Sequence, residues 1–178
     1  MNKFRLFSTI TLLLTISTLF AAAPKREFRG AWIQAVNGQF QGIPTAELKQ
    51  TLISQLDSLE KARINAVLFQ VRVEGDALYK SSIEPWSKYL TGKQGVAPDE
   101  DWDPLQFMID ECHKRDMELH AWINPFRAKT ASTTEISEMH PMSKYPERFI
   151  NYGKLTLFNP ALQENSDYIC QIAADIVR

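Results

Sequence analysis

Little in this sequence points to metals, nucleotides or nucleic acid. Cysteine occurs only twice, at Cys112 and Cys170, and neither has a metal-ligating neighbour at useful spacing. His113, His120 and His140 make no HxxH or HExxH pattern, so no zinc or other metal is expected. Glycine is sparse as well, with seven residues and no GxGxxG or GxxxxGK run of the kind that cradles phosphates. Charge of one sign is missing: 20 basic residues face 21 acidic ones, a net charge of -1, which leaves no electrostatic footprint for nucleic acid. No organic cofactor is implied.

Long apolar runs are confined to the N-terminus. Lys3 and Arg5 precede an apolar and hydroxylated stretch from Leu6 to Phe20, and Ala21, Ala22 and Ala23 follow it. This is the charged, apolar and small-residue order of a secretory signal, too short and too rich in Ser and Thr for a comfortable membrane span. Residues 1–23 are therefore expected to be a signal peptide and residues 24–178 the mature chain. The mature chain is expected in the periplasm, the cell envelope or the medium, without a stable membrane span. Cys112 and Cys170 could pair in such an oxidising setting, but both fall on predicted helix faces beside apolar neighbours, which supports buried free thiols at least as well.

What is present fits one packed core: 44% of residues are hydrophobic and 11% aromatic. Residues 28–36 (FRGAWIQAV) read as a first strand, 37–44 as a loop, and Thr45 as the N-cap of a helix over 46–62. In that helix Leu48, Leu52, Leu56 and Leu59 recur at spacings of three and four, which gives one buried stripe. Residues 65–71 form a second strand. The connection from 75 to 102 is long and carries Tyr79, Trp86, Tyr89 and Trp102, so it is expected to pack over the mouth of the fold. Asp103, Pro104 and Gln106 mark a helix start with N-cap, first-turn proline and capping-box residue. That helix should bury Leu105, Met108, Ile109 and Cys112 and stop near Asp116, where a left-handed residue is needed. Residues 118–123 (ELHAWI) form a third strand that ends at Asn124-Pro125. Residues 128–153 read as a polar insertion without periodicity and 155–158 as a short extended piece. A third amphipathic helix from Asn165 onward carries Ile169, Ile172, Ala173 and Ile176.

The second strand carries the site. By alternation Val67, Phe69 and Val71 face the helices, while Ala66, Leu68, Gln70 and Arg72 face whatever the sheet encloses. A polar group buried there costs roughly 1–3 kcal/mol unless it is paired or lines a site. Periodicity leaves two roles open for Gln70 and Arg72: mutual satisfaction or pairing with Glu74 and Asp76, and contact with a ligand. On the third strand His120 suits a satisfied interior histidine, and Asn124, at the strand end, a ligand-binding group.

Three strands alternating with three amphipathic helices imply a parallel α/β sheet with right-handed crossovers. An open doubly wound sheet and the start of a (β/α)8 TIM barrel compete. The missing phosphate loop weakens the first, and polar and aromatic residues at all three strand ends favour the second. A whole barrel takes about 250 residues. The expected fold is therefore the N-terminal portion of a (β/α)8 TIM barrel, about three βα units, incomplete.

FRGAWIQ, the continuous FQVRVEGDALYKSSIEPWSKYLTGKQG, and ELHAWINPFR together resemble the bacterial glycosyl-hydrolase-like family ten, exported barrel proteins. The resemblance runs from about Phe28 to the end of the chain. It departs at Asp116, where a helix-ending glycine is usual, and at Ala161-Leu162-Gln163, in place of Gly-Leu-Pro. It implies a glycoside hydrolase acting on a cell-envelope or extracellular glycan, with peptidoglycan glycan strands among the candidates. In the family the paired acids suspected of catalysis lie on the fourth strand, and Arg178 stops short of it. The chain is accordingly expected to hold a substrate-binding half without the catalytic pair, and to be inactive by itself. Arg72 would bond sugar hydroxyls or orient a carboxylate, Gln70 and Asn124 would contact hydroxyls, and Trp32 or Trp86 would stack on a sugar face. Asp76 completes the set with Glu74: these are the only nearby acids for proton transfer, and shaping the loop by ion pairing is the better-supported role for both. The alternatives are a noncatalytic glycan-binding barrel and a non-functional fragment.

Overall fold

Strand β2, Ala66–Arg72, is central because every side chain on its helix-facing side is apolar and β-branched or aromatic. The computed structural model describes residues 27–178, and the expected signal segment lies outside them. Strands β1 (Gly30–Ile33), β2 and β3 (Glu118–Ile123) form a parallel sheet in that order. Helix α1 (Thr45–Lys61) makes the crossover from β1 to β2. The crossover from β2 to β3 contains a short helix α2 (Lys88–Thr91) and then helix α3 (Pro104–His113). Strand β1 is shorter than the run 28–36, and Phe28 beside it is exposed.

The core lies between sheet and helices. Ile33, Val67, Phe69 and Val71 pack against Leu48, Leu52 and Leu56 of α1 and Leu105, Met108 and Cys112 of α3. Burying each large apolar side chain contributes about 1.5–3 kcal/mol. The predicted alternation therefore holds in β2 as far as Gln70; between Gln70 and Arg72 the register with β3 shifts, so that Arg72 stands opposite Ile123, the residue after the partner of Gln70.

Helix starts depart from expectation in one informative way. Thr45 is the first helical residue, not the N-cap, which is the extended Pro44 with no side chain to offer. Asp99 of the long connection replaces it, accepting from the Thr45 hydroxyl and from its backbone N–H at 3.3 Å. At α3 the Asp103 carboxylate accepts from the N–H groups of Leu105 at 2.9 Å and Gln106 at 3.2 Å, as expected of an N-cap. Gln106 does not close a capping box; its amide donates to Asp110 one turn on, at 2.8 Å. Asp116 has φ 53°, the left-handed conformation anticipated where that helix stops.

The insertion after β3 is more regular than its composition suggests. It holds β4 (Arg127–Lys129), a short helix α4 (Pro141–Lys144), a 3-10 turn (Pro146–Arg148) and β5 (Phe149–Tyr152). With β6 (Leu155–Phe158) these strands make a second, antiparallel sheet in the order β4-β6-β5. Gly153, at φ 60°, opens the two-residue turn between β5 and β6.

Helix α5 (Gln163–Val177) follows. Ile172 is buried as predicted, while Ala173 is exposed. Asn165 is buried because its amide donates to the carbonyls of Arg148 at 2.8 Å and Asn159 at 2.9 Å, tying the helix start to the insertion. Both cysteines are free, but only Cys112 is buried; Cys170 is exposed on α5. Among the described residues no helix is long and apolar enough to cross a membrane.

Candidate functional site

The loops after β1, β2 and β3 gather at the C-terminal ends of the parallel strands, the face where α/β folds place their sites. They enclose a polar groove of about 450 Å³ lined from all three: Gln41 from the first, Lys88, Tyr89, Lys93 and Gln94 from the second, and Glu135 from the third.

Beneath the groove, the polar residues that follow β2 form a buried frame. Arg72 is fully buried. Its Nε and Nη2 donate to the two carboxylate oxygens of Glu84, each at 2.7 Å, and its Nη1 donates to the carbonyls of Asn124 and Pro125. The Phe158 ring lies 5.2 Å from the guanidinium, and the Tyr168 hydroxyl of α5 donates to Glu84 at 3.0 Å. Burial opposes the charge on Arg72, but the Glu84 carboxylate outweighs it and holds the group above its ordinary pKa. Arg72 is thus ion-paired, and its partner is Glu84 of the long connection, neither Glu74 nor Asp76.

Asp76 and Glu74 are fully buried too. Asp76 accepts from the Glu74 N–H at 3.0 Å, the Ser87 hydroxyl at 2.9 Å and the Gln94 amide at 3.1 Å; burial raises its pKa against the pull of those three bonds. Glu74 accepts from the Tyr89 hydroxyl at 2.8 Å and from Thr133, with the Lys88 ammonium 3.7 Å away. Both acids therefore pin the second and third loops to the strand end. His140 adds a further tie. Its Nδ1 accepts from the Met142 N–H at 3.0 Å, which leaves Nε2 to donate to the Glu74 carbonyl at 2.8 Å. Gly75 permits this contact: its φ is 66°, and a Cβ there would stand 2.6 Å from His140 Nε2.

The other face of the sheet brings together a different set. Trp32 pairs in register with Leu68, and Gln70 with Trp122, so alternation puts Trp32, Gln70 and Trp122 on one side. Trp32 and Trp122 meet edge to face, with centroids 4.8 Å apart at 90°, and Trp32 is 63% exposed. Gln70 accepts from the Ala35 N–H at 3.0 Å, which fixes its amide beside them. Asn124 is half-buried; its Oδ1 accepts from Trp122 Nε1 at 3.2 Å and its Nδ2 donates to the Val73 carbonyl at 3.2 Å.

Of the residues singled out in the sequence, Trp32, Gln70 and Asn124 thus come together, and Trp122 joins them. Trp86 does not; it packs against the hydrophobic core. Gln70, Arg72 and Asp76 are buried with protein partners, so any part they take in a site is through positioning. Glu84 and Trp122 were not anticipated. The alternation that placed Trp122 beside Asn124 was the available signal for it, whereas nothing in the spacing marked Glu84.

Two relatives are long matches. Glycosyl hydrolase YngK of Bacillus subtilis (strain 168) is 37% identical over 174 residues, 94% of this chain and 34% of its own length. Glycosyl hydrolase DigH of Escherichia coli (strain K12) is 40% identical over 139 residues, 72% of this chain and 31% of its own length. The chain spans about a third of the length of these relatives. A crystal structure of a hypothetical protein from Ruminiclostridium thermocellum ATCC 27405 superposes with a TM-score of 0.52 at 16% identity, covering 82% of this chain and 69% of that one, a likeness of fold. Residues 27–178 match the glycosyl hydrolase-like 10 family, and with that coverage the chain belongs to it.

Proposed function

We propose that the protein is an exported glycoside hydrolase of the cell envelope or extracellular space. Residues 27–178 would form the first three βα units of a (β/α)8 barrel and hold its substrate-binding half. The observation that carries this reading is the polar groove at the C-terminal ends of the parallel strands, lined by Gln41, Lys88, Tyr89, Gln94 and Glu135 from three loops, the face where a barrel gathers its site. Amide, charged and phenolic groups lining one groove suit a sugar, which offers a rim of hydroxyls. The family membership supports hydrolysis as the reaction, and peptidoglycan glycan strands are one candidate substrate.

Hydrolysis of a glycosidic bond ordinarily uses two carboxyl groups about 5 to 10 Å apart, one to protonate the leaving oxygen and one as nucleophile or base. Glu74, Asp76 and Glu84 are fully or almost fully buried and bonded to protein groups, so the frame they build holds loops in place. The proposal therefore assigns bond cleavage to acids outside residues 27–178, on the strand expected after α5. The same observation favours a second reading, a barrel that binds glycan without cutting it. Incubating the full-length protein with purified glycan strands separates them. New reducing ends are expected; retention of strands on the protein with no new ends supports the binder, and strands neither cut nor retained would overturn both readings for this substrate.

A further inference from the structure

Of the inner groups that line the groove between the three loops, Lys88 keeps the most hydrogen-bonding capacity unspent. The Tyr89 hydroxyl donates to Glu74 at 2.8 Å, and the Gln94 amide is engaged at both ends, donating to Asp76 at 3.1 Å and accepting from the Ser137 N–H at 3.0 Å. The Lys88 ammonium has three donors. Among the described residues it makes one hydrogen bond, to the Thr133 hydroxyl at 2.6 Å, and the Glu74 carboxylate, at 3.7 Å, lies beyond bonding distance. The ammonium also stands 4.8 Å from the centre of the Tyr89 ring, and the Lys88 side chain is only 15% exposed. It is a largely desolvated cation, held between Thr133 and Tyr89, that lines an open groove with donors to spare.

We propose that Lys88 binds the acyl carbonyl oxygen of an N-acylated amino sugar, and so selects glycans whose rings carry an acylamino group over those that carry hydroxyls alone. This rests on the glycan reading above and names the kind of sugar. An ammonium can only donate, so its best partner is an oxygen that only accepts; a hydroxyl does both, a carbonyl oxygen only accepts. Charge argues against an anionic partner. Lys88 and Lys93 are the positive groups of the groove, but Glu135 lines it as well, and Glu74 and Asp76 lie beneath it. The two ammonium groups therefore leave no excess of positive charge to draw in a carboxylate, whereas a neutral carbonyl needs none. A ligand that covered Lys88 without offering an acceptor would strip water from its free donors and leave them unpaired, which is costly for a charged group. Because Thr133 and Tyr89 already hold the ammonium in place, little side-chain freedom is lost when the carbonyl arrives.

The test uses the full-length protein and three probes: β-1,4-linked oligomers of N-acetylglucosamine, β-1,4-linked oligomers of glucose of the same length, and glycan strands purified from peptidoglycan. The two oligomers are uncharged and differ in having an acylamino group or a hydroxyl at one ring position. Affinity, or kcat/KM where the probe is cut, is expected to favour the acylated oligomer about tenfold, the worth of one hydrogen bond to a charged group. Lys88→Met, which keeps the stem and removes the donors, should bring that preference close to one. If Lys88 served only to hold Glu74 and the loops, its loss would weaken both oligomers alike and leave the ratio where it was; that result overturns the assignment. An equal or inverted preference in wild type overturns it too, as does binding of peptidoglycan strands with neither oligomer bound, and in these cases the glycan reading stands. If none of the three probes is bound or cut, the glycan reading fails and the assignment fails with it. The wild-type ratio needs no variant, so it can refute the proposal even if Lys88→Met does not fold.

Discussion

Arg72 is the residue on which the loop face depends. One side chain joins β2 to the long connection through Glu84 and to the end of β3 through two carbonyls. Removing one partner of a buried ion pair leaves the other charged and unsatisfied, so Arg72→Ala is expected to lower stability by about 3–5 kcal/mol in urea unfolding. Arg72→Lys should recover little of it, because an ammonium cannot make the two parallel bonds to Glu84. The sequence marked Arg72 as a polar group at the end of a buried strand, but neither the register shift before it nor its partner was within reach. Glu84 lies twelve residues on, in a segment without periodicity, and only the path of the folded loop brings it back.

His140 makes a pH prediction of definite sign. Burial holds its pKa below the ordinary value; Asp76 and Glu84 pull it up and Arg72 pushes it down, by smaller amounts. As pH falls below about 6.5 the unfolded chain takes up the proton first, so the stability from neutral His140 is whole above that pH and is lost on the way down to the lowered value. Asp76, with its raised pKa, acts in the opposite sense in wild type and in a His140 variant alike. Comparing wild type with His140→Gln therefore isolates the effect: the urea midpoint of wild type should fall more between pH 7.5 and 5.5 than that of the variant. Equal slopes would count against a neutral buried imidazole.

At the scale of elements, the three helices and three parallel strands were legible because each carries a clean apolar period. The second sheet was not. Its strands are three or four residues long, too short for alternation to show against a polar background. Its one strong signal was the Gly153 turn between β5 and β6, which reads as a hairpin only when the flanking runs are already taken as strands. Helix α5 shows the same limit from another side. Its apolar positions were found, but which of them are covered depends on neighbours, and Cys170 faces solvent while Cys112 sits in the core. A thiol reagent should accordingly label Cys170 quickly in the native protein and Cys112 only on unfolding, since burial also pushes the Cys112 thiol up to about 11. Rapid labelling of both would mean that α3 does not pack as described.

At the scale of the whole molecule, the buried frame and the groove above it divide the work. Glu84, Arg72, Glu74 and Asp76 hold the loops in place, and Gln41, Lys88, Tyr89, Gln94 and Glu135 line the groove above them. That division explains why candidates of the right kind could be read from the sequence while the two roles stayed mixed. Residue type and parity identify polar groups at strand ends, and only three-dimensional partners tell a support from a contact. Hydrolysis of a glycan, the proposed reaction, is tested most directly by digesting purified glycan strands with the full-length protein in water enriched in oxygen-18. Hydrolysis predicts one heavy oxygen at each new reducing end. Strands left intact, or cut without taking up the heavy oxygen, would contradict it.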